Sequence, residues 1–276
     1  MNSKNGEREE AHSPSEAVSH NISLKDGKVQ ITRAEFPVVR PVTVVTEERP
    51  VKTGIEGLDK VMGGGFEENS VNIIAGGPGS GKTIFSIQFL VNGIEKFNEP
   101  GVYITFEERE EDVLKHMSKF GWDLKKYQDE HKLVVIEYTP EQVKKLLSEG
   151  GGEVDVAVEK IKAKRIVIDS LTAFAFLFKD ELTRMEAFLD LFKLIKRWGC
   201  TAILVAEEEQ NVDRHHPKTV EFDVDGIILL YNIRKGDMRE RAIEVLKLKG
   251  VEHSTRIFPM KITDKGIVVF PEETVF

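Results

Sequence analysis

The stretch Gly76-Gly77-Pro78-Gly79-Ser80-Gly81-Lys82-Thr83 limits what this chain can fold into more than any other. Its spacing, G-x-x-x-x-G-K-[ST], is that of a phosphate-binding loop between a strand and a helix. The flanks supply that context. Val71-Asn72-Ile73-Ile74-Ala75 reads as a short buried strand, and Thr83-Ile84-Phe85-Ser86-Ile87-Gln88-Phe89-Leu90 opens an apolar helix. Glycines let backbone N–H groups approach phosphate oxygens, and the helix N-terminus adds the positive end of its dipole. Gly77, Pro78, Gly79, Ser80, Gly81 and Ile84 are the expected cradle. Lys82 would reach the β- and γ-phosphates, and the Thr83 hydroxyl would ligate Mg²⁺.

The 276 residues suffice for one large domain plus an appendage. No apolar run is long enough to cross a bilayer, and residues 1–20 lack the apolar core of a secretory signal. A cytoplasmic protein with no membrane partner is the expectation. The single cysteine, Cys200, excludes an internal disulfide framework and precedes an apolar run, as a buried core residue would. A net charge of −8 argues against a surface that coats DNA.

Residues 1–20 read as a disordered tail. Ile22 and Leu24, then Val29 and Ile31, alternate around Asp26-Gly27 as a β-hairpin would, before a proline-bearing linker at 36–41. Residues 1–50 thus form an extension, and 51–276 a single α/β domain. Within it, strands are expected at 101–106, 133–136, 165–168 and 202–205. Helices are expected at 109–120, near 141, at 154–161 and at 181–198, the last with a stripe of Met185, Phe188, Leu189, Phe192, Ile195 and Trp198 ended by Gly199. Short strands follow at 227–231, 242–248, 257–262 and 267–270. The fold class is a mostly parallel twisted sheet flanked by helices, with antiparallel strands at the C-terminus.

Asp169 ends the strand Arg165-Ile166-Val167-Ile168. A carboxylate there completes a Mg²⁺ shell, on a strand expected beside that of the loop. Glu107 and Glu108 follow the strand at 101–106, where a carboxylate can orient or deprotonate the water that attacks a γ-phosphate.

These segments resemble the KaiC-type ATPases of the RecA/RadA P-loop superfamily, in their archaeal, single-domain form. The motifs that carry the resemblance are Thr53-Gly54-Ile55-Glu56-Gly57-Leu58-Asp59, Thr105-Phe106-Glu107-Glu108, Phe120-Gly121-Trp122-Asp123-Leu124, Ile168-Asp169-Ser170-Leu171-Thr172 and Ile262-Thr263-Asp264-Lys265-Gly266-Ile267. The resemblance implies a RecA-like core and hydrolysis of ATP to ADP and phosphate, with Glu107 and Glu108 as the water-activating pair. It further implies a homo-oligomer, a hexameric ring, with ATP held between subunits. The neighbour would contribute residues matching Lys247, Leu248, Lys249, His253, Thr263 and Asp264. On a strand, Lys247 and Lys249 leave the same face, as a γ-phosphate clamp requires.

Two departures stand out. Lys249 replaces the arginine of the family's circadian member, so a bidentate fork becomes a point charge. The strand at 202–205 runs into Ala206-Glu207-Glu208-Glu209-Gln210, where Gln210 is the best candidate γ-phosphate sensor. Residues 211–218 occupy the place of a recombinase's DNA-binding loop, and their His215-His216 pair lacks the companions of a metal site. Ala173-Phe174-Ala175-Phe176-Leu177-Phe178, in the other central loop, could stack bases but fits packing better. Three readings compete: a regulatory ATPase acting by conformational change on a protein partner, a DNA-dependent recombinase- or helicase-like ATPase, and a non-enzymatic assembly module. Acidic charge favours the first over the second, and the intact acid pair favours it over the third.

Overall fold

The computed structural model describes residues 20–25, 28–33, 50–208 and 224–273. The chain divides into two compact units, Met1–Glu47 and Glu48–Phe276. The first contains an antiparallel pair, β1 (His20–Lys25) and β2 (Lys28–Arg33), with Ile22 opposite Ile31 and Leu24 opposite Val29. The alternation in the sequence has that register. The tail before residue 20, the turn pair and the proline-bearing linker lie outside the described residues.

The second unit is built on one nine-stranded sheet. In chain order its elements are α1 (Leu58–Val61), β3 (Val71–Gly76), α2 (Lys82–Phe97), β4 (Gly101–Thr105), α3 (Glu110–Met117), α4 (Leu124–Asp129), β5 (Leu133–Glu137), α5 (Pro140–Glu149), α6 (Gly152–Ile161), β6 (Arg165–Asp169), α7 (Leu171–Phe176), α8 (Glu181–Trp198), β7 (Thr201–Glu207), β8 (Gly226–Lys235), β9 (Met238–Leu248), β10 (Ile257–Thr263) and β11 (Gly266–Val269). The strand order is β11-β10-β9-β8-β3-β7-β6-β4-β5. The six strands from β8 to β5 are parallel, and β8 to β11 are antiparallel.

Central strands read as unbroken apolar runs because both faces are covered. Ile74, Val167, Ile203 and Ile228 join a core with α2. Ile73, Ile166, Leu204 and Leu229 join a second core with α5, α6 and α8.

The structure corrects several expectations. Asp169 does not lie on the strand next to the phosphate loop's strand, because β7 runs between β3 and β6. The segment expected as a central loop begins as α7, whose N-terminus is capped by Ser170 Oγ accepting from the Ala173 amide at 3.1 Å. Phe174 is buried against Phe106, Phe178 and Phe188, while Phe176 is 83% exposed. In α8 the buried arc is Ala187, Leu191, Leu194, Ile195 and Trp198, whereas Met185 and Leu189 are exposed. Apolar residues cover so much of that helix that periodicity alone could not choose the arc. Helix α4 was not expected at all. It is a six-residue helix, too short for a stripe, and it is set by Asp123 Oδ1 accepting from the Lys126 amide at 3.0 Å. Strands β8 and β9 also run on through the charged residues Arg234, Lys235, Arg239 and Glu240; Arg234 pairs with Arg239 across the hairpin, and Lys235 Nζ reaches Glu240 Oε2 at 3.3 Å.

Arg165, at the start of β6, is fully buried. It pairs with Glu99 (Nε to Oε2, 2.7 Å) and donates to the carbonyls of Phe89 (2.7 Å) and Lys52 (2.8 Å). Its guanidinium lies 4.3 Å from the centroid of the Phe89 ring. These partners tie β6 to α2 and to the segment preceding α1.

Candidate nucleotide site

The phosphate loop connects the end of β3 to the start of α2. Gly79 and Gly81 have φ of 72° and 105°, a left-handed backbone that favours glycine. The α2 N-terminus has no side-chain cap and no acidic residue in its first turn, so its N–H groups and dipole face the loop uncompensated. Lys82 Nζ donates to the carbonyls of Gly76 (2.8 Å) and Gly77 (3.2 Å). Burial holds its ammonium below the usual lysine range, against the opposing pull of Glu207, Asp169 and Glu107. Ile84 is half-buried and packs on the core beneath the first turn.

Three outer groups wall the loop, and sequence reasoning assigned none of them. Asn232 Nδ2 donates to the Pro78 carbonyl at 3.3 Å, and Arg241 Nε to that of Gly79 at 3.0 Å. Ile262 Cδ1 would stand 3.1 Å from a Cβ at Gly81. They come from β8, β9 and β10, far along the chain from the loop; Ile262 opens one of the motifs that carry the resemblance, but no local pattern marks Asn232 or Arg241.

Although β3 and β6 are not adjacent, α2 crosses the sheet so that Thr83 Oγ1 stands 3.1 Å from Asp169 Oδ2. The same carboxylate oxygen accepts from the Tyr103 hydroxyl at 2.9 Å. Burial raises the Asp169 carboxyl, and Glu107 adds to this, while the two hydroxyl bonds and Lys82 oppose it. A hydroxyl and a carboxylate converging in this way suit a hard cation that keeps most of its waters, as Mg²⁺ does.

The two acids after β4 are held apart. Glu107 Oε1 accepts from Ser170 Oγ at 2.7 Å, and its charge acts on both Lys82 and Asp169. Glu108 Oε1 lies 2.6 Å from His116 Nδ1 on α3. Thr105 Oγ1 fixes the connecting turn, accepting from the Glu108 amide (3.0 Å) and donating to the Glu108 carbonyl (2.9 Å). A pair is what the sequence reads; the structure gives each member its own partner. Glu207 ends β7 with its amide on Thr172 Oγ1 at 2.9 Å, and its charge also acts on Lys82. Glu209, Gln210 and residues 211–218, with His215-His216, lie outside the described residues.

The residues expected to reach a neighbour fall into two groups. Lys247, Leu248, Lys249 and His253 lie at the other end of the sheet from the loop. Leu248 pairs with Gly226, which pairs with Asn72, roughly 13 Å of strand from Gly76. Thr263 and Asp264 lie at the loop's end, since β10 runs back antiparallel and sets Met260 opposite Arg241. The expected alternation of Lys247 and Lys249 also fails. A bulge at Leu246 disturbs the register, β9 ends at Leu248, and Lys249 sits in the turn beyond. There its Nζ pairs with Asp225 Oδ1 at 3.1 Å. His253 Nδ1 is 3.1 Å from the Ser254 carbonyl, and Thr263 Oγ1 donates to the Gly266 carbonyl at 2.9 Å.

Among the described residues, no helix is long and apolar enough to cross a membrane. A family model described as "ATPase: KaiC" matches residues 51–274. The circadian clock oscillator protein KaiC of Synechococcus elongatus is 36% identical over 232 residues, covering 80% of this chain and 44% of that protein. The chain therefore spans less than half the length of the clock proteins it matches. The UPF0273 protein of Pyrococcus horikoshii is 36% identical over 240 residues, covering 82% of this chain and 96% of that one. The crystal structure of a KaiC-like protein from the same archaeon superposes with a TM-score of 0.73 at 35% identity, covering 81% of this chain and all of that one. With a RecA-like sheet, a phosphate loop and a family match over nearly all of its second unit, the chain belongs to the KaiC family of ATPases.

Proposed function

We propose that the chain binds Mg²⁺–ATP at residues 76–83 and hydrolyses it to ADP and phosphate. The observation that carries this reading is the convergence of Thr83 and Asp169 at 3.1 Å beside a carboxylate, Glu107, whose charge acts on the same site. The backbone amides of 77–83 hold the phosphate chain, with Lys82 turning from its carbonyl partners to the β- and γ-oxygens. Thr83 and Asp169 would hold Mg²⁺, and a cation held there would supply charge neutralisation for the phosphate oxygens. Glu107 orients the attacking water and takes its proton, and Glu108 supports the turn that carries it.

Position along the sheet supports shared sites. Lys247 and Lys249 sit too far from their own loop to touch its nucleotide, so a phosphate contact by either would be made in a neighbouring copy. Thr263 and Asp264 would face the nucleotide of their own chain. The assembly is proposed as a homo-oligomeric ring, hexameric as the resemblance implies. Its output is a conformational change passed to a protein partner, in the cytoplasm. Packing of Phe174 into the core removes one ring from any base-stacking platform and weighs against a DNA-dependent motor.

The test is ATP binding and turnover in two variants. Lys82→Ala is expected to lose nucleotide binding. The double variant Glu107→Gln with Glu108→Gln is expected to keep binding and lose turnover by about 10²–10⁴-fold. Normal hydrolysis by the double variant would overturn the assignment. Stimulation of the parent by single-stranded DNA would favour the motor instead.

A further inference from the structure

Tyr103 has no part in the mechanism above, yet it is almost completely buried with its hydroxyl on the edge of the site. It lies on β4 opposite Val167 of β6, two residues before Asp169, and on the same sheet face as that carboxylate. The phenol spans this diagonal and its Oη donates to Asp169 Oδ2 at 2.9 Å. Thr83 Oγ1 donates to that oxygen from the opposite element, α2, at 3.1 Å. A phenylalanine would fill the same volume in the core, so packing alone does not call for the hydroxyl. Buried tyrosines need a partner for it, and this one has taken the one carboxylate that ends β6.

We propose that Tyr103 is a positioning residue for Mg²⁺, holding Asp169 in the rotamer that presents its carboxylate to the cation beside Thr83. This rests on the reading of Thr83 and Asp169 as the cation's protein ligands. Hydrogen bonds to ligating carboxylates fix their direction, and their loss typically weakens metal binding about 10–100-fold. The hydroxyl acts through its bond to Asp169. Its effect therefore falls on the Mg²⁺ concentration the protein needs and leaves nucleotide binding without metal unchanged.

The experiment uses the full chain and a fluorescent ATP analogue, titrated with Mg²⁺ and, separately, bound in EDTA. Tyr103→Phe is expected to raise the half-saturating Mg²⁺ about 10–100-fold, with unchanged affinity in EDTA and turnover recovered at high Mg²⁺. Asp169→Asn is the control and should also shift the Mg²⁺ requirement. An unshifted titration for Tyr103→Phe, with a shifted control, overturns the positioning role alone. If neither variant shifts, the reading of Asp169 as a ligand fails and the role of Tyr103 fails with it. Equal weakening in EDTA and in Mg²⁺ would show a structural role only and would likewise overturn the proposal.

Discussion

At the scale of single residues, the site is a set of charges kept apart by specific partners. Glu107 is held by Ser170 and acts on Lys82 and Asp169, whereas Glu108 is drawn 2.6 Å from His116 on α3. Two adjacent acids are chemically equivalent in the sequence, and only these partners distinguish them. The expected consequence is unequal single variants. Glu107→Gln should lower the turnover number about 10²-fold or more, and Glu108→Gln about 10-fold, with ATP affinity preserved in both. Single-turnover hydrolysis measured beside nucleotide binding checks this, and a reversed order would move the general base to Glu108. The glycines and Lys82 were legible because a phosphate loop needs those residue types at fixed spacing. Tyr103, Ser170, Asn232, Arg241 and His116 were not, since each reaches the site by a fold contact that no local spacing encodes.

At the scale of elements, α2 joins the loop to the rest of the sheet, and it packs on β6 through Arg165. Gly93 lies on the face of α2 that meets this side chain, where a Cβ would stand 2.5 Å from Arg165 Nε and 2.6 Å from its Cδ. Three acceptors hold the guanidinium, so it cannot move aside cheaply. Gly93→Ala should destabilise the fold by about 2 kcal/mol, although alanine is the better helix former. Chemical denaturation reads this directly, and an unchanged midpoint would show that the Arg165 cluster yields. The long periodic helices and the apolar strands were legible because covered faces impose a pattern. The short helices α4 and α7 were not, and neither was the buried arc of α8. A few residues carry no period, and a helix apolar on most sides does not say which side is covered.

At the scale of the whole molecule, the direction of β9 decides what the nucleotide site contains. Because β9 runs antiparallel to β8, it carries Lys247 away from the loop, while β10 brings Thr263 back to it. If sites are shared, mixing Lys82→Ala chains with Lys247→Ala chains should restore part of the ATPase activity that each lacks alone. No recovery where mixed assemblies form, shown by differently tagged chains purifying together, would place every essential residue in one chain. The sequence by itself determined the loop, its flanking strand and helix, and the division into parallel and antiparallel strands. Those follow from residue chemistry over a few positions and from burial of both sheet faces. Tertiary structure alone decided that β7 separates β3 from β6, that Asp169 still meets Thr83, and that the expected neighbour-reaching residues split between the two ends of the sheet. Strand order and direction are set by how distant segments pack together, and neighbouring residues along a chain hold no record of that.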